Sequence, residues 1–326
     1  MRQRTKTRRG RMTAALLAAA VAGSLMAGCS NGSGSGDGQG KGQTEPGDSP
    51  TSSAPPGSVL AVKIDNSATA RPQTGLDAAD VVYAEEVEGG LSRLMAVYAT
   101  NLPDVVGPVR SARESDLELL RQFDEPTLAF SGAQSKLLPL IEKAPLHAKT
   151  PGNSADAFFR GSGKPAPHNL YLHPNKLLDS VPGAGALTTG YHYGAAPGGG
   201  TPEDSRTVSY PAARFTFTWS GSQHRWLVTM DGTPTVTNDG KRVTAATVVV
   251  QYVKVRQSQF RDFLGNNTPF TETVGSGKAQ VLRDGRSYDA NWEREKATDG
   301  TDFTTANGDR MNFAKGPVWV VFAKAP

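Results

Sequence analysis

Three textures follow one another along the chain. Residues 13–26 form a short run rich in Ala, Leu and Val; residues 30–57 hold almost nothing apolar; from Ser58 onward apolar positions recur in bursts of strand or helix length. Residues 59–64, 80–83 and 91–99 alternate or run apolar as strands do, and 127–130 reads as a further short strand. Residues 113–123 bring Leu117, Leu119 and Leu120 to one helical face, and a second helix is expected over 134–143. Beyond the Gly/Pro-rich stretch 194–204 strands dominate, at 214–219, 226–230, 247–256, 279–283, 286–290 and 318–323, with Asp284-Gly285 as a hairpin turn. The pattern predicts an α+β fold of two domains: residues 58–195 as a mixed, α/β-type sheet with helices, and residues 205–326 as a mostly antiparallel β module.

The chain's start has its own logic. Arg2, Arg4, Lys6, Arg8, Arg9 and Arg11 precede the apolar run with no acid among them, and that run is too short to stay in a bilayer as a spanning helix. Residues 1–28 therefore read as a signal peptide. It ends Leu25-Met26-Ala27-Gly28-Cys29, small residues before a cysteine, which resembles a lipobox with Met26 where Leu is usual. Cys29 is the chain's one cysteine, so no internal disulfide can form, and acylation (palmitate) accounts for it better than a buried thiol does. Arg8-Arg9 leaves general secretory and twin-arginine export both open. Residues 29–57 are then the lipidated Cys and a Gly/Ser/Pro tether, with an r.m.s. reach of about 30 Å from the membrane. The expected location is the outer face of the cytoplasmic membrane.

Loss of the signal's six basic residues takes the formal charge from +4 to −2. No basic stripe interleaved with aromatics remains, which argues against nucleic acid as a partner. Walker loop, dinucleotide fingerprint, Gly-x-Ser-x-Gly elbow and Cys/His metal set are all missing, so neither cofactor nor metal is implied.

The candidate chemistry is polar and comes from separated segments. In Gly107-Pro-Val-Arg-Ser-Ala-Arg-Glu114, Ser111 and Glu114 form a capping box that would start the first helix, placing Arg110 and Arg113 beside a helix start where an anion would be welcome. The plain alternative pairs both arginines with Glu85, Glu86 or Glu88. Asp65 and Asn66, with Arg71 close behind, follow the first strand. Glu86 and Glu88, if extended, share a face and end a segment leading to Arg93. Pro167-His168-Asn169-Leu170-Tyr171-Leu172-His173 offers His168 as a base, or more simply as a hydrogen-bonding loop residue, and the His168–His173 spacing does not suit a metal-binding helix.

These same segments resemble the YerB-like lipoproteins, a family built from an N-terminal and a C-terminal domain of unknown function. The resemblance lies in Ile64-Asp65-Asn66 with Arg71-Pro72-Gln73-x-Gly75-Leu76, Ala79-Asp80-Val81-Val82-Tyr83, Glu88-Gly89-Gly90 with Arg93, Gly107-Pro-Val-Arg-Ser-Ala-Arg113, and Pro167-His168-Asn169-Leu170-Tyr171. Gly275-Ser276-Gly277-Lys278-Ala279, Gly285-Arg286 and Trp292 extend it into the second half. Members often carry Glu directly after the tyrosine matching Tyr83, whereas this chain has Ala84 and then Glu85, which removes an acid from that point. The resemblance implies a two-domain α+β fold and an extracytoplasmic lipoprotein; it brings no reaction with it.

The combined expectation is a membrane-anchored binding or scaffold protein of the cell envelope, held by the lipid on Cys29. Arg71, Arg93, Arg110 and Arg113 are expected to contact a phosphate- or carboxylate-bearing wall polymer or precursor, oriented by Asp65, Asn66, Glu88, His168 and Asn169, with no catalytic residue assigned. One alternative is a hydrolase or transferase of wall phosphodiesters or glycans, with Asp65 or Glu88 as acid or base. A second makes the strand-rich half a module for another envelope protein, which an exposed patch at Trp219, Trp226 or Trp292 would favour.

Overall fold

The aliphatic run Leu60–Asp65 forms strand β1, all six residues buried, in a computed structural model that describes residues 57–262 and 265–326. The signal peptide, Cys29 and the tether as far as residue 56 lie outside the described residues. Strands β2 (Val81–Glu86) and β3 (Ser92–Tyr98) pair antiparallel with each other, and β3 continues onto β1 in the register Leu60↔Tyr98 through Asp65↔Arg93. Helix α1 (Glu114–Leu120), strand β4 (Thr127–Ala129), helix α2 (Leu138–Lys143) and strand β5 (His147–Lys149) follow; β4 and β5 extend the sheet in parallel beyond β1. A small hairpin, β6 (Phe158–Arg160) and β7 (Leu170–Leu172), stands apart from the sheet.

The second half supplies β8 (Thr201–Pro202), β9 (Ser205–Tyr210), β10 (Ala213–Ser220), β11 (Arg225–Met230), β12 (Thr233–Pro234), β13 (Thr244–Ala245) and β14 (Thr247–Val253). It continues with β15 (Val255–Arg261), β16 (Asn267–Thr271), β17 (Gly275–Arg283), β18 (Arg286–Arg294), β19 (Asp302–Thr305) and β20 (Val318–Lys324). The last strand does not stay with its own half: β20 lies parallel between β14 and β2, in the register Val81↔Val318 to Ala84↔Val321. One mixed sheet of eleven strands results, ordered β19-β18-β17-β14-β20-β2-β3-β1-β4-β5, with β8 on β18. Strands fill 43% of the described residues and helices 10%, so the fold is mostly β and the expected α+β class is met only loosely. The shortfall is helical. Pro145, Pro151, Pro165, Pro167, Pro174 and Pro182 punctuate the chain after α2, leaving room only for short strands and single turns.

Alternation along the strands sorts the core into two faces. Leu60, Val62, Val82, Leu94, Ala96 and Trp319 face the five-stranded sheet β12-β11-β10-β9 with β13, whose Phe215 and Phe217 rings lie 6.3 and 5.9 Å from the Trp319 ring. Ala61, Tyr83, Met95, Val97 and Val320 face the other way, onto Leu119, Leu120 and Phe123 at α1. The Asp284-Gly285 turn forms as expected, with φ of 51° and 70° joining Arg283 directly opposite Arg286. Trp226 and Trp292 are buried and Trp219 packs partly against the core, so these side chains form no exposed tryptophan patch.

Candidate functional site

On the α1 face, the even run of apolar side chains turns charged toward one end of β1, β2 and β3. Lys63 and Asp65 follow Ala61, Glu85 follows Tyr83, and Arg93 precedes Met95, all on one side of the sheet by alternation and register. Lys63 has no solvent exposure. Its Nζ donates to Asp116 Oδ1 at 2.7 Å and to Glu85 Oε1, while Ser115 Oγ donates to Glu85 Oε2 at 2.8 Å. A buried lysine is tolerable only with such complete pairing. Burial pushes the Asp116 carboxyl up to about 6, with the Lys63 charge opposing and Glu85 adding to the rise. Asp116 Oδ2 also accepts the backbone N–H of Arg113 at 2.7 Å, which fixes the start of α1.

This capping geometry corrects the expected one. The helix begins after Arg113, and Ser111 and Glu114 make no capping box: Ser111 gives its carbonyl to Arg93 Nη1 (3.0 Å), while Glu114 bonds Ser258 of β15. Asp116 takes the capping role because Lys63 already holds it at that end of the helix. Glu86 and Glu88 likewise do not share a strand face. β2 ends at Glu86, and Glu88 opens a 3-10 turn toward Arg113.

Asp65 is the hub of the outer part. Its Oδ1 accepts the Ser67 backbone N–H (3.0 Å); its Oδ2 is hydrogen-bonded to His168 Nδ1 (2.8 Å) and lies 3.2 Å from Arg110 Nε as an ion pair without hydrogen-bond alignment. Burial raises the carboxyl's pKa, but Ser67, His168 and Arg110 together outweigh it, and the net shift is downward. Arg110 is placed by backbone pairing: Val109 donates to the Leu170 carbonyl (2.6 Å) and Arg110 to that of Lys63 (2.8 Å), which stitches residues 107–110 between β1 and β7. Ser67 Oγ lies 3.1 Å from the same His168 Nδ1. Both Arg110 and His168 keep about a quarter of their side-chain surface in solvent.

Arg113 forks onto Glu88. Nη2 donates to Oε2 at 2.7 Å, and Nε stands 2.7 Å from Oε1 as an ion pair without hydrogen-bond alignment. Thr268 of β16 closes the other side of Oε1 at 2.6 Å. Burial raises Glu88, yet Arg113 and Thr268 leave it net lowered. Arg93 sits between these pairs. Burial first, then the charge of Arg113, depress its guanidinium to about 10, Arg110 adding and Glu88 and Asp65 opposing. Among the described residues its guanidinium makes one hydrogen bond, to the Ser111 carbonyl, and no carboxylate lies within ion-pair distance of it. Beside Glu88 and Arg113 opens a cavity of about 370 Å³, bounded also by Gln134, Phe260 and Thr268.

Asp65, Glu88, Arg93, Arg110, Arg113 and His168 thus meet in one cluster. Asn66 is attached to its rim: it donates to Ser92 Oγ (2.8 Å) and accepts from Arg71 Nε (3.1 Å) and Gln73 Nε2 (3.0 Å). Arg71 turns toward the second sheet and pairs with Asp231 Oδ2 at 2.7 Å. Asn169 stands apart, bonded to the Gly161 carbonyl (2.9 Å) and to Arg160 Nη1 (2.7 Å), where it pins the β6–β7 hairpin. Sequence reasoning missed Lys63, Ser115 and Asp116, and it offered Glu85 as a partner of the arginines where the structure gives it to Lys63 and Ser115. A lysine amid Leu-Ala-Val and Ile-Asp in a strand was their visible signal. Among the described residues no group of three or more His, Cys, Asp or Glu side chains is placed to hold a metal ion.

Two family models match the chain: the N-terminal domain of a protein of unknown function (DUF3048) over residues 47–187, and its C-terminal domain over residues 206–320. A Bacillus subtilis (strain 168) protein named "Putative lipoprotein YerB" is 33% identical over 112 residues, a match spanning 34% of either chain. The crystal structure of the Bacillus subtilis YerB protein superposes with a TM-score of 0.68 at 20% identity, covering 81% of this chain and 90% of that one. At that identity the likeness is one of fold.

Proposed function

Taking as premise that the chain belongs to the YerB-like DUF3048 family, we propose that it is a membrane-anchored extracytoplasmic lipoprotein, acylated at Cys29, whose cluster at the ends of β1–β3 binds an anionic group of a cell-wall polymer or precursor. The lipid anchor is supported by the sequence of residues 1–29 and by the name of the relative that matches part of the chain.

The observation that carries the anion reading is that Arg93 lies among other arginines without a carboxylate of its own. Lys63 is held by two carboxylates, Glu85 and Asp116, while Asp65 pairs with Arg110 and Glu88 with Arg113, so four basic and four acidic side chains match in number, yet Arg93 has no carboxylate partner among the described residues. An arginine held among like charges without a carboxylate partner is a place where a phosphate or carboxylate is stabilised. Arg110 supplies the approach, since its Nε is bound to Asp65 while no partner for its two Nη atoms is found among the described residues. Asn66 and Arg71 act at the rim in this reading and Asn169 only through the β6–β7 hairpin.

An enzymatic reading has one observation in its favour. Asp65 Oδ2 orients His168 Nδ1 at 2.8 Å, an arrangement that leaves Nε2 for a substrate. Three partners and a lowered pKa make Asp65 itself a weak base, suited to orienting His168. The protein-module reading loses its main support with the burial of Trp226 and Trp292.

Thermal unfolding of the full chain with and without inorganic pyrophosphate tests the proposal, because a ligand that binds only the folded state raises the midpoint by mass action. A rise that disappears in Arg110→Gln supports it. No rise in the wild-type chain moves the assignment to a protein partner, with the arginines as architecture.

A further inference from the structure

A second cavity opens between the loop after β1 and the β6–β7 hairpin; of the arginines named above it is lined by Arg71 alone, which is paired with Asp231. Its volume is about 770 Å³, inside the range of about 300–1,000 Å³ usual for small-ligand sites. One wall is aromatic. The Phe159 ring stacks on Tyr171 (5.7 Å, 26°) and on His173 (4.7 Å, 21°), yet Phe159 remains 36% exposed, a large apolar side chain at the mouth of an open cavity. The Pro72 ring prolongs this wall. Gly161 lets the backbone lie close against this wall: a Cβ there would come within 2.8 Å of the Tyr171 ring.

The polar lining is of a particular kind. Asn238 Nδ2 donates to Thr74 Oγ1 at 2.6 Å, so an amide and a hydroxyl stand together in the lining. Lys164 Nζ donates to the Pro72 carbonyl at 2.5 Å and to the Tyr171 hydroxyl at 3.2 Å, 5.8 Å from that ring's centroid, which leaves one N–H for a ligand, and no carboxylate among the described residues pairs with it. Flat apolar rings, neutral hydrogen-bonding groups and one cation without a carboxylate do not suit an acyl chain, which prefers an enclosed apolar channel. They match a sugar ring, which has a C–H face, a rim of hydroxyls and, when acidic, one negative substituent. We propose that this cavity binds an acidic saccharide, with the sugar against the Phe159–Tyr171 wall and its carboxylate or phosphate on Lys164.

The test is calorimetric titration of the full chain with tri-galacturonic acid and, as the neutral counterpart, chitotetraose. The expected result is binding of tri-galacturonic acid in preference to chitotetraose. Phe159→Ala should weaken it by about tenfold or more, the scale of a lost aromatic contact, and Lys164→Gln should erase the preference for the acidic sugar. Both variants should keep the wild-type melting midpoint, since neither side chain lies in the core. Lack of binding at millimolar concentration, equal affinity for the two sugars, or binding that survives both substitutions would overturn the proposal. Binding lost in Arg110→Gln but kept in Phe159→Ala would also overturn it, by moving the saccharide to the arginine cluster and leaving the anion reading in place. Saccharide binding in a chain that ignores pyrophosphate would do the reverse.

Discussion

Arg110 and His168 meet on the same atom, Oδ2 of Asp65, at 3.2 and 2.8 Å, although they are 58 positions apart in sequence and neither is in a strand or helix. Both keep a solvent-facing part, so a single carboxylate aims one cation and one imidazole toward the same region. Asp65→Asn keeps the shape but removes the charge. The expected outcome is loss of the pyrophosphate-induced rise in melting midpoint, with a destabilisation of about 1–3 kcal/mol from the weakened hydrogen bonds. Thermal unfolding with and without pyrophosphate measures both.

Arg110→Gln should behave differently from Asp65→Asn. The arginine side chain is 24% exposed, and a partly solvated ion pair contributes about 0–1 kcal/mol. Urea denaturation is expected to find stability within that margin of the wild type while the anion response is lost. A large fall in the urea midpoint would instead assign Arg110 to architecture.

Lys63→Met leaves Glu85 and Asp116 buried without their cation. The cost of breaking a buried pair from one side is about 3–5 kcal/mol, far above any gain from the apolar replacement. Equilibrium denaturation should show this loss, and the simultaneous replacement Lys63→Met, Glu85→Leu and Asp116→Leu should recover part of it.

Acid and base limbs of the stability profile should have opposite owners. Asp65 and Glu88 lie below their ordinary values of 3.8 and 4.5, so the stability they contribute is complete above those values and is lost as the pH falls through the lower folded-state values. Asp116 is raised from 3.8 to about 6, so between these values the native state holds the extra proton and stability declines as the pH rises. Urea midpoints measured across this range should fall toward pH 6, and Asp116→Asn should flatten that limb while sparing the acid one.

Gly285→Val tests the β17–β18 turn. Residue 285 has φ 70°, and a Cβ there would approach Trp219 Nε1 at 2.7 Å, so strain and overpacking combine to a loss of about 1–3 kcal/mol. Thermal unfolding of the variant would read it directly.

Local chemistry was enough to place much of this protein. The strands at Leu60–Asp65, Val81–Glu86 and Val318–Lys324 are written in their aliphatic and β-branched side chains, and the β17–β18 hairpin in Asp284-Gly285, because alternation and positive φ are properties of a few neighbouring residues. The polar segments of the candidate cluster could be picked out for the same reason, as charged residues in unusual local company. Their partners could not. That Asp116 rather than Ser111 caps α1 follows from Lys63, 53 positions away, and that Arg71 turns to Asp231 follows from how the second sheet packs on the first. Nor does any local signal say that β20 leaves its own half to lie beside β2. Strand order and ion pairing are set by the burial of two sheet faces and the neutralisation of charge within them, and these are decided by the whole packed chain, not by any stretch of it.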